Sequence, residues 1–331
     1  MNMKYRFFSI IVVSVVMLSS LTLSAQKKVF HGEKTTIPRI PPKNERIRVV
    51  IVSDAANEID DIYAIALAIL HPERFDIEGF VGSNWDHTHS GVGPESVGLS
   101  VQEIETILEK AGMKGKYPVF AGGHPMRYEF ERSESDGVDF IIERAMAGTP
   151  DNPLWIVGLG SATDLASAYL KAPKIKDRVV MFWHARTENT WPRQAYNYNV
   201  KGDIHAARMM FLAPFPTVIF DTGTHLIAGT LEESAEYIKP YGELGRYLYE
   251  YRLKNPYFTQ PDKGYFDMGD MAVLIDPSVG TWEEIDCPTV NYYMDYNFEQ
   301  TNGKVLRCID VDRDETFKFL YDKLKANYSD R

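Results

Sequence analysis

Four acids, Asp54, Glu58, Asp60 and Asp61, fall within eight residues, directly after the apolar run Val49-Val50-Ile51-Val52. Carboxylates this close repel one another unless a cation gathers them, and a cluster of hard oxygens suits Ca2+ or Mg2+ rather than zinc. The simpler reading is that Asp60 and Asp61 only favour the positive end of a helix dipole. Three other segments carry polar groups. From Val157 to Ala166, small residues separate an apolar run from a helical pattern, so backbone can approach a ligand and a carbonyl can serve as a hard ligand. From Trp191 to Asp203, amides alternate with aromatics, which suits a neutral, hydroxyl-rich ligand such as a sugar, or ordinary packing. In the third, Asp267 opens an apolar helix that runs to Ile275-Asp276-Pro277, where an N-cap is the competing role.

The elements that must position these groups alternate along the chain. Arg48 to Val52 has the β-branched character of a strand covered on both faces, and Ile62 to Leu70 continues as a helix. Strands follow at Ile77–Val81, Tyr117–Ala121, Leu154–Leu159, Arg178–Trp183 and Thr217–Asp221, with helices at 101–111, 138–147, 162–170, 204–211 and, for the most part, 232–254. Repeated β-then-α units predict an α/β fold, a doubly wound, mainly parallel sheet with helices on both faces. Val290–Tyr296 and Lys304–Asp310 read as a small late antiparallel pair, and Asp314–Lys325 as a closing helix. The acid loops then sit at the carboxyl ends of strands, where open α/β sheets bind ligands.

The 331-residue chain carries a formal net charge of −10 and a pI near 5.4, which argues against a nucleic-acid groove. Residues 1–25 read as a secretory signal: Lys4 and Arg6, an apolar core from Phe7 to Met17, then Leu23-Ser24-Ala25. A retained membrane anchor is the competing reading, but that core is short of the ~20 residues a span needs, and no span is expected after signal removal. Residues 26–46 read as an extended lead-in and 47–331 as one domain. Cys287 and Cys308 can pair in an oxidising compartment or remain two buried thiols.

Taken together, these segments resemble the nucleoside hydrolases of the inosine/uridine-preferring type, and most closely a divergent branch found in bacterial secreted proteins. The resemblance runs from about Arg48 to Lys325. The family's first strand leads into a D-x-D-x-G-x-D-D loop that holds Ca2+. Here the loop is Ser53-Asp54-Ala55-Ala56-Asn57-Glu58-Ile59-Asp60-Asp61, two residues longer before the paired acids, with Val52 in place of the first aspartate. The resemblance implies a Rossmann-like core, one Ca2+ ion, and a secreted protein, periplasmic or extracellular, acting on a small-molecule nucleoside or riboside, with a homo-oligomer as a family tendency.

By the same resemblance Asp54 is a metal ligand and the catalytic base, Asp61 the main metal carboxylate, and Asp60 an acceptor for sugar hydroxyls. Asn84 in Val81-Gly82-Ser83-Asn84 maps to a sugar-contacting asparagine. Gly160-Ser161-Ala162-Thr163-Asp164 matches the turn that gives the metal a threonine carbonyl, so Thr163 is an implied ligand. Asn197-Tyr198-Asn199, before Asp203-Ile204-His205-Ala206-Ala207, matches a Glu-Phe-Asn, so Asn199 keeps its sugar-binding amide and Asn197 replaces a glutamate. Asp267 is the implied last metal ligand.

The implied reaction is metal-assisted hydrolysis of an N-glycosidic bond with inversion of configuration. The family's proton donors to the leaving group are missing: Phe266 stands in place of one histidine and Ser133 in place of another. His87, His89, His184 and Asp270 are candidate substitutes, each against the simpler reading of an ordinary polar residue. Trp85, Trp183 and Trp191 either stack on substrate or pack in the core. Two alternatives stay open: a metal-stabilised carbohydrate-binding protein without turnover, and a hydrolase of non-nucleoside glycosides.

Overall fold

The computed structural model describes residues 32–85, 93–185, 190–220, 227–261 and 263–329. The proposed signal, His87 and His89 lie outside them. Strand β1 (Ile47–Ser53) is buried along almost its whole length, as its run of valine and isoleucine requires. It lies inside an eight-stranded sheet with β2 (Phe75–Gly82), β3 (Val119–Ala121), β4 (Leu154–Gly158), β5 (Val179–His184), β6 (Thr217–Phe220), β9 (Gly280–Val290) and β10 (Tyr296–Val311), in the order β3-β2-β1-β4-β5-β6-β10-β9. All neighbours run parallel except β9 on β10. A separate antiparallel pair, β7 (Ala228–Gly229) with β8 (Lys263–Gly264), was not foreseen.

Side chains of β1 alternate between two cores, as the period of a strand dictates. Val49 and Ile51 face helix α1 (Asp60–Ile69), whose ten residues are all buried, and they share that core with helix α9 (Phe266–Ile275). Val50 and Val52 face the other core, with helices α3 (Asp136–Ala147), α4 (Thr163–Lys171) and α6 (Ile204–Leu212). The remaining helices are α2 (Ser96–Lys110), α5 (Tyr198–Gly202), α7 (Leu231–Tyr237), α8 (Gly242–Arg252) and α10 (Arg313–Tyr328). The predicted α/β fold with a mainly parallel sheet is the observed one. Strand order reverses between β1 and β4, and a crevice at the carboxyl ends of these strands is the ligand position of such sheets.

Two element readings shift. The late antiparallel pair is present, but its first strand is Gly280–Val290, and Asn291 to Asp295 form the turn. Asn291 Oδ1 accepts from the amides of Tyr293 (2.8 Å) and Asp295 (2.9 Å), turn chemistry that outweighs the alternating pattern there. The helix expected over 232–254 is two helices, α7 and α8. Pro240, between them, lacks an amide donor and disfavours helical backbone at the preceding residue.

Cys287 and Cys308 are free, buried thiols on adjacent strands. The register sets Cys308 opposite Trp282, five positions from Cys287, or roughly 16 Å along the strand at ~3.3 Å per residue, too far to bridge. Burial pushes the Cys287 thiol up to about 12. Both thiols will therefore stay silent to an aromatic disulfide reagent in native protein and both will react in guanidinium. A mass two units lower before reduction than after would show the disulfide instead.

Candidate active site

The acid loop follows β1 into the N-terminus of α1, and Asp267 lies in the first turn of α9, the helix packed beside it. Two helix N-termini therefore deliver carboxylates to one place, each with the dipole end that favours negative charge. Asp54, Asp60, Asp61 and Asp267 are 3%, 4%, 3% and 4% exposed, an arrangement that costs several kcal/mol per ionised group unless a cation offsets it. Asp60, Asp61 and Asp267 each offer an oxygen within 4.8 Å of the others. Ser53 Oγ donates to Asp61 Oδ1 at 2.5 Å, and Asn57 Nδ2 donates to Asp54 Oδ2 at 2.8 Å. Behind Asp54 lies the turn after β4, where a Cβ on Gly160 would stand 2.3 Å from Ser83 Oγ and 2.8 Å from Asp54 Oδ1. Only glycine lets this turn back so closely onto the carboxylate.

Burial, then the charges of neighbouring acids, raises these groups. Asp54 is pushed up to about 7 by burial, with Asn57 opposing and Asp60 adding. Asp60 also reaches about 7 through burial and Glu58, with Lys263 opposing. Asp61 and Asp267 rise above the usual carboxylate range through burial and the surrounding carboxylates. Asp60 Oδ1 is buried with no partner among the described residues. An all-oxygen set with an orphaned carboxylate oxygen fits a hard divalent cation.

The groups assigned to the sugar line the same end of the sheet. Asn84 donates through Nδ2 to the Gly123 carbonyl (3.0 Å) and to Thr163 Oγ1 (2.8 Å), which leaves its buried Oδ1 as an unpartnered acceptor. Thr163, the first residue of α4, donates its hydroxyl to Asp203 Oδ2 at 2.8 Å, a bond that fixes the turn. Asn197 caps α5 by accepting from the Asn199 amide at 2.7 Å. Asn199 Nδ2 donates to the carbonyls of Leu159 (2.6 Å) and His184 (3.0 Å), tying the loops after β4 and β5 together. The amide nitrogens of Asn84 and Asn199 are thus committed to the protein.

Two groups with no firm role in the sequence stand inside the site. His184, at the end of β5, places Nδ1 2.7 Å from Asp270 Oδ2 and 3.3 Å from Asp267 Oδ1. Burial pushes its imidazole down, but Asp270, Asp60 and Asp61 outweigh this and leave it raised. Lys263 on β8 is 2% exposed and pairs with Glu58 Oε2 at 2.5 Å, its ammonium 4.7 Å from the Phe266 ring centroid. No spacing in the sequence pointed to Lys263, because the two-residue strand that holds it has no pattern to read. Ser133 adjoins the Thr163 wall, where a Cβ on Gly123 would meet its Oγ at 2.5 Å. Trp183 is a core residue whose Nε1 donates to the Gly160 carbonyl at 3.1 Å. Trp191 packs against Tyr296 and Phe298, and Trp85 is buried beside α2, its amide donating to Ser96 Oγ at 3.3 Å.

Residues 49–318 match the family model described as inosine-uridine preferring nucleoside hydrolase. The chain belongs to that family. Its reaction class is accordingly hydrolysis of N-glycosyl compounds, with a small-molecule nucleoside substrate and a metal requirement. Among solved structures, a plant nucleoside hydrolase is 19% identical with a TM-score of 0.66, over 85% of this chain and 100% of the other. A purine-preferring ribonucleoside hydrolase from Gardnerella vaginalis is 18% identical with a TM-score of 0.65, over 85% and 99%. An inosine-uridine preferring nucleoside hydrolase from Bacillus anthracis is 15% identical with a TM-score of 0.62, over 85% and 99%. These likenesses concern the fold. No curated protein sequence matches the chain.

Nucleoside hydrolase carboxylates this deeply buried make stability depend on cation and pH together. Without a cation, the folded protein keeps protons at Asp54 and Asp60 up to about pH 7, whereas the unfolded chain releases them near pH ~4. The folded state then binds more protons across this window, so these groups make it less stable as pH rises. The melting-temperature gain from saturating Ca2+ over chelator-treated, dialysed protein will grow between pH 4 and 7, and a gain constant with pH would contradict the cluster. If the cluster holds a divalent cation, Gly160→Ala will weaken its binding about five- to 150-fold in calorimetry with Ca2+ as the probe, in keeping with ~1–3 kcal/mol for overpacking.

Proposed function

We propose that this nucleoside hydrolase is an exported enzyme that cleaves a ribonucleoside or related riboside, with one Ca2+ held by Asp54, Asp61, Asp267 and the Thr163 carbonyl. The observation that carries this reading is the gathering of buried aspartates where the strand order reverses, in a chain of this family. When bound, the ion supplies a fixed positive charge that orients water and sugar hydroxyls and makes the water more acidic. Asp54 is the base. Its Oδ2 is held by Asn57, which fixes the carboxylate beside the position of the water. Asp60 and the open Oδ1 of Asn84 accept hydrogen bonds from the sugar, with Asn197 and Asn199 forming the adjoining wall. Fixed acceptors of this kind favour the positive charge that develops on the sugar ring as the base departs. Water attacks opposite the leaving group, and the configuration inverts.

Phe266 and Ser133 give the leaving group little assistance. Lys263, over the Phe266 ring, is held by Glu58, and His184 Nδ1 faces Asp267 and Asp270. The reading therefore favours substrates whose leaving group departs readily. Mature protein with Ca2+ will release sugar from p-nitrophenyl riboside faster than from inosine or uridine, and Asp54→Asn will lower the rate by ~10²–10⁴-fold. Equal rates for wild type and Asp54→Asn would remove Asp54 as the base. Silence across nucleosides and glycosides, with sugar binding intact in calorimetry, would replace the hydrolase by a binding protein.

A further inference from the structure

We infer that His184, Asp267 and Asp270 form a second cation site, sharing Asp267 with the proposed Ca2+ site and built for a borderline transition ion such as Zn2+. It rests on the proposed function only through that shared carboxylate. The three side chains are 4%, 4% and 0% exposed, and each offers one ligand atom within 4.8 Å of the others. Nδ1 of His184 lies 2.7 Å from Asp270 Oδ2 and 3.3 Å from Asp267 Oδ1. Neighbouring ligands on a metal with bonds of about 2.1 Å stand about 3.0 Å apart in an octahedron and about 3.4 Å in a tetrahedron. The 3.3 Å spacing to Asp267 lies between these values, and the 2.7 Å spacing to Asp270, now a hydrogen bond, would open by about 0.3 Å or more as an ion replaced the shared proton.

The donor set differs from that of the first site. Asp54, Asp61 and the Thr163 carbonyl bring only oxygen to the first, which suits a hard cation, whereas an imidazole nitrogen with two carboxylates suits zinc and its neighbours. Asp270 supplies a separate observation. Its Oδ1 is buried with no partner among the described residues, inside a helix whose other residues from Met268 to Ile275 are a buried glycine and apolar side chains. Helix packing does not call for a carboxylate there. Charge balance points the same way. Asp54, Asp60, Asp61, Asp267 and Asp270 bring five carboxylates into one buried cluster, one divalent ion offsets two charges, and Lys263 is paired with Glu58. A second divalent ion brings the cluster close to neutrality.

The test counts the two metals separately. Chelator-stripped wild type, His184→Ala and Asp61→Asn are equilibrated with Ca2+ and equimolar Zn2+, desalted, and assayed by plasma mass spectrometry, with circular dichroism as the folding control. Wild type should carry one Zn2+ beside its Ca2+, His184→Ala should keep Ca2+ and lose at least tenfold in Zn2+ affinity, and Asp61→Asn should lose Ca2+ first. X-ray absorption at the zinc edge of the wild type should show imidazole scattering, a readout that needs no variant to fold. Equal Zn2+ in wild type and folded His184→Ala, or zinc with oxygen ligands only, would overturn the second site. Zinc with imidazole ligation in a wild type that takes up no Ca2+ would uphold it while removing the Ca2+ reading.

Discussion

The burial of several carboxylates at one end of the sheet is the constraint on which the rest of the structure depends. A single ionised carboxylate moved out of water costs several kcal/mol in real proteins, and here Asp60, Asp61 and Asp267 offer oxygens within 4.8 Å of one another, with Asp54 buried in the same loop. The fold meets that cost with directed groups. Two helix N-termini point their dipoles at the cluster, Ser53 and Asn57 donate to it from its own loop, and Gly160 admits a turn against Asp54 that any other residue would push away. What these groups leave uncompensated is the binding energy available to a cation. The apolar surroundings, β1 on one side and the wholly buried α1 on the other, make that charge matter by keeping water out.

This arrangement explains which parts of the molecule the sequence discloses. Strands buried on both faces need unbroken runs of valine and isoleucine, so β1, β4 and β5 are visible as runs, and the alternation of such runs with helical patterns identifies the sheet as parallel. The acid loop is visible for the same reason, because polar residues directly after such a run have nowhere to go except the end of the sheet. Long-range partners are different. His184 stands 83 positions before Asp267, and only the assembled fold reveals that the end of β5 meets the first turns of α9. Lys263 is hidden for another reason: a buried lysine is legible only through its counter-ion, and Glu58 comes from the far side of the chain.

The wall facing the cluster is polar in a way that differs from a conventional proton-donating wall. Phe266 puts an aromatic ring at the place where the resemblance implies an imidazole, and the ammonium over that ring is paired with Glu58. The pair still has an electrostatic function. Lys263 lowers Asp60 while Glu58 raises it, so the carboxylate assigned to the sugar is set by a balance between one cation and several acids. Both Glu58 and Asp60 belong to the acid loop, which is two residues longer than the family's pattern before the paired acids.

His184 and Asp270 extend the same logic to the far side of Asp267. An imidazole held between two carboxylates is either a charged partner for them or a ligand beside them, and both states lower the repulsion that Asp267 feels from Asp61 and Asp60. The two states differ in what they ask of Asp270. A protonated imidazole satisfies one of its oxygens and leaves Oδ1 buried without a partner, whereas an ion with its own bound water can serve both. Native proteins seldom leave a carboxylate oxygen orphaned inside an apolar helix, because the desolvation penalty of an unmade bond exceeds the gain of a made one. The position of Asp270, more than the presence of His184, is therefore what makes the region beyond Asp267 part of the site and not merely its support.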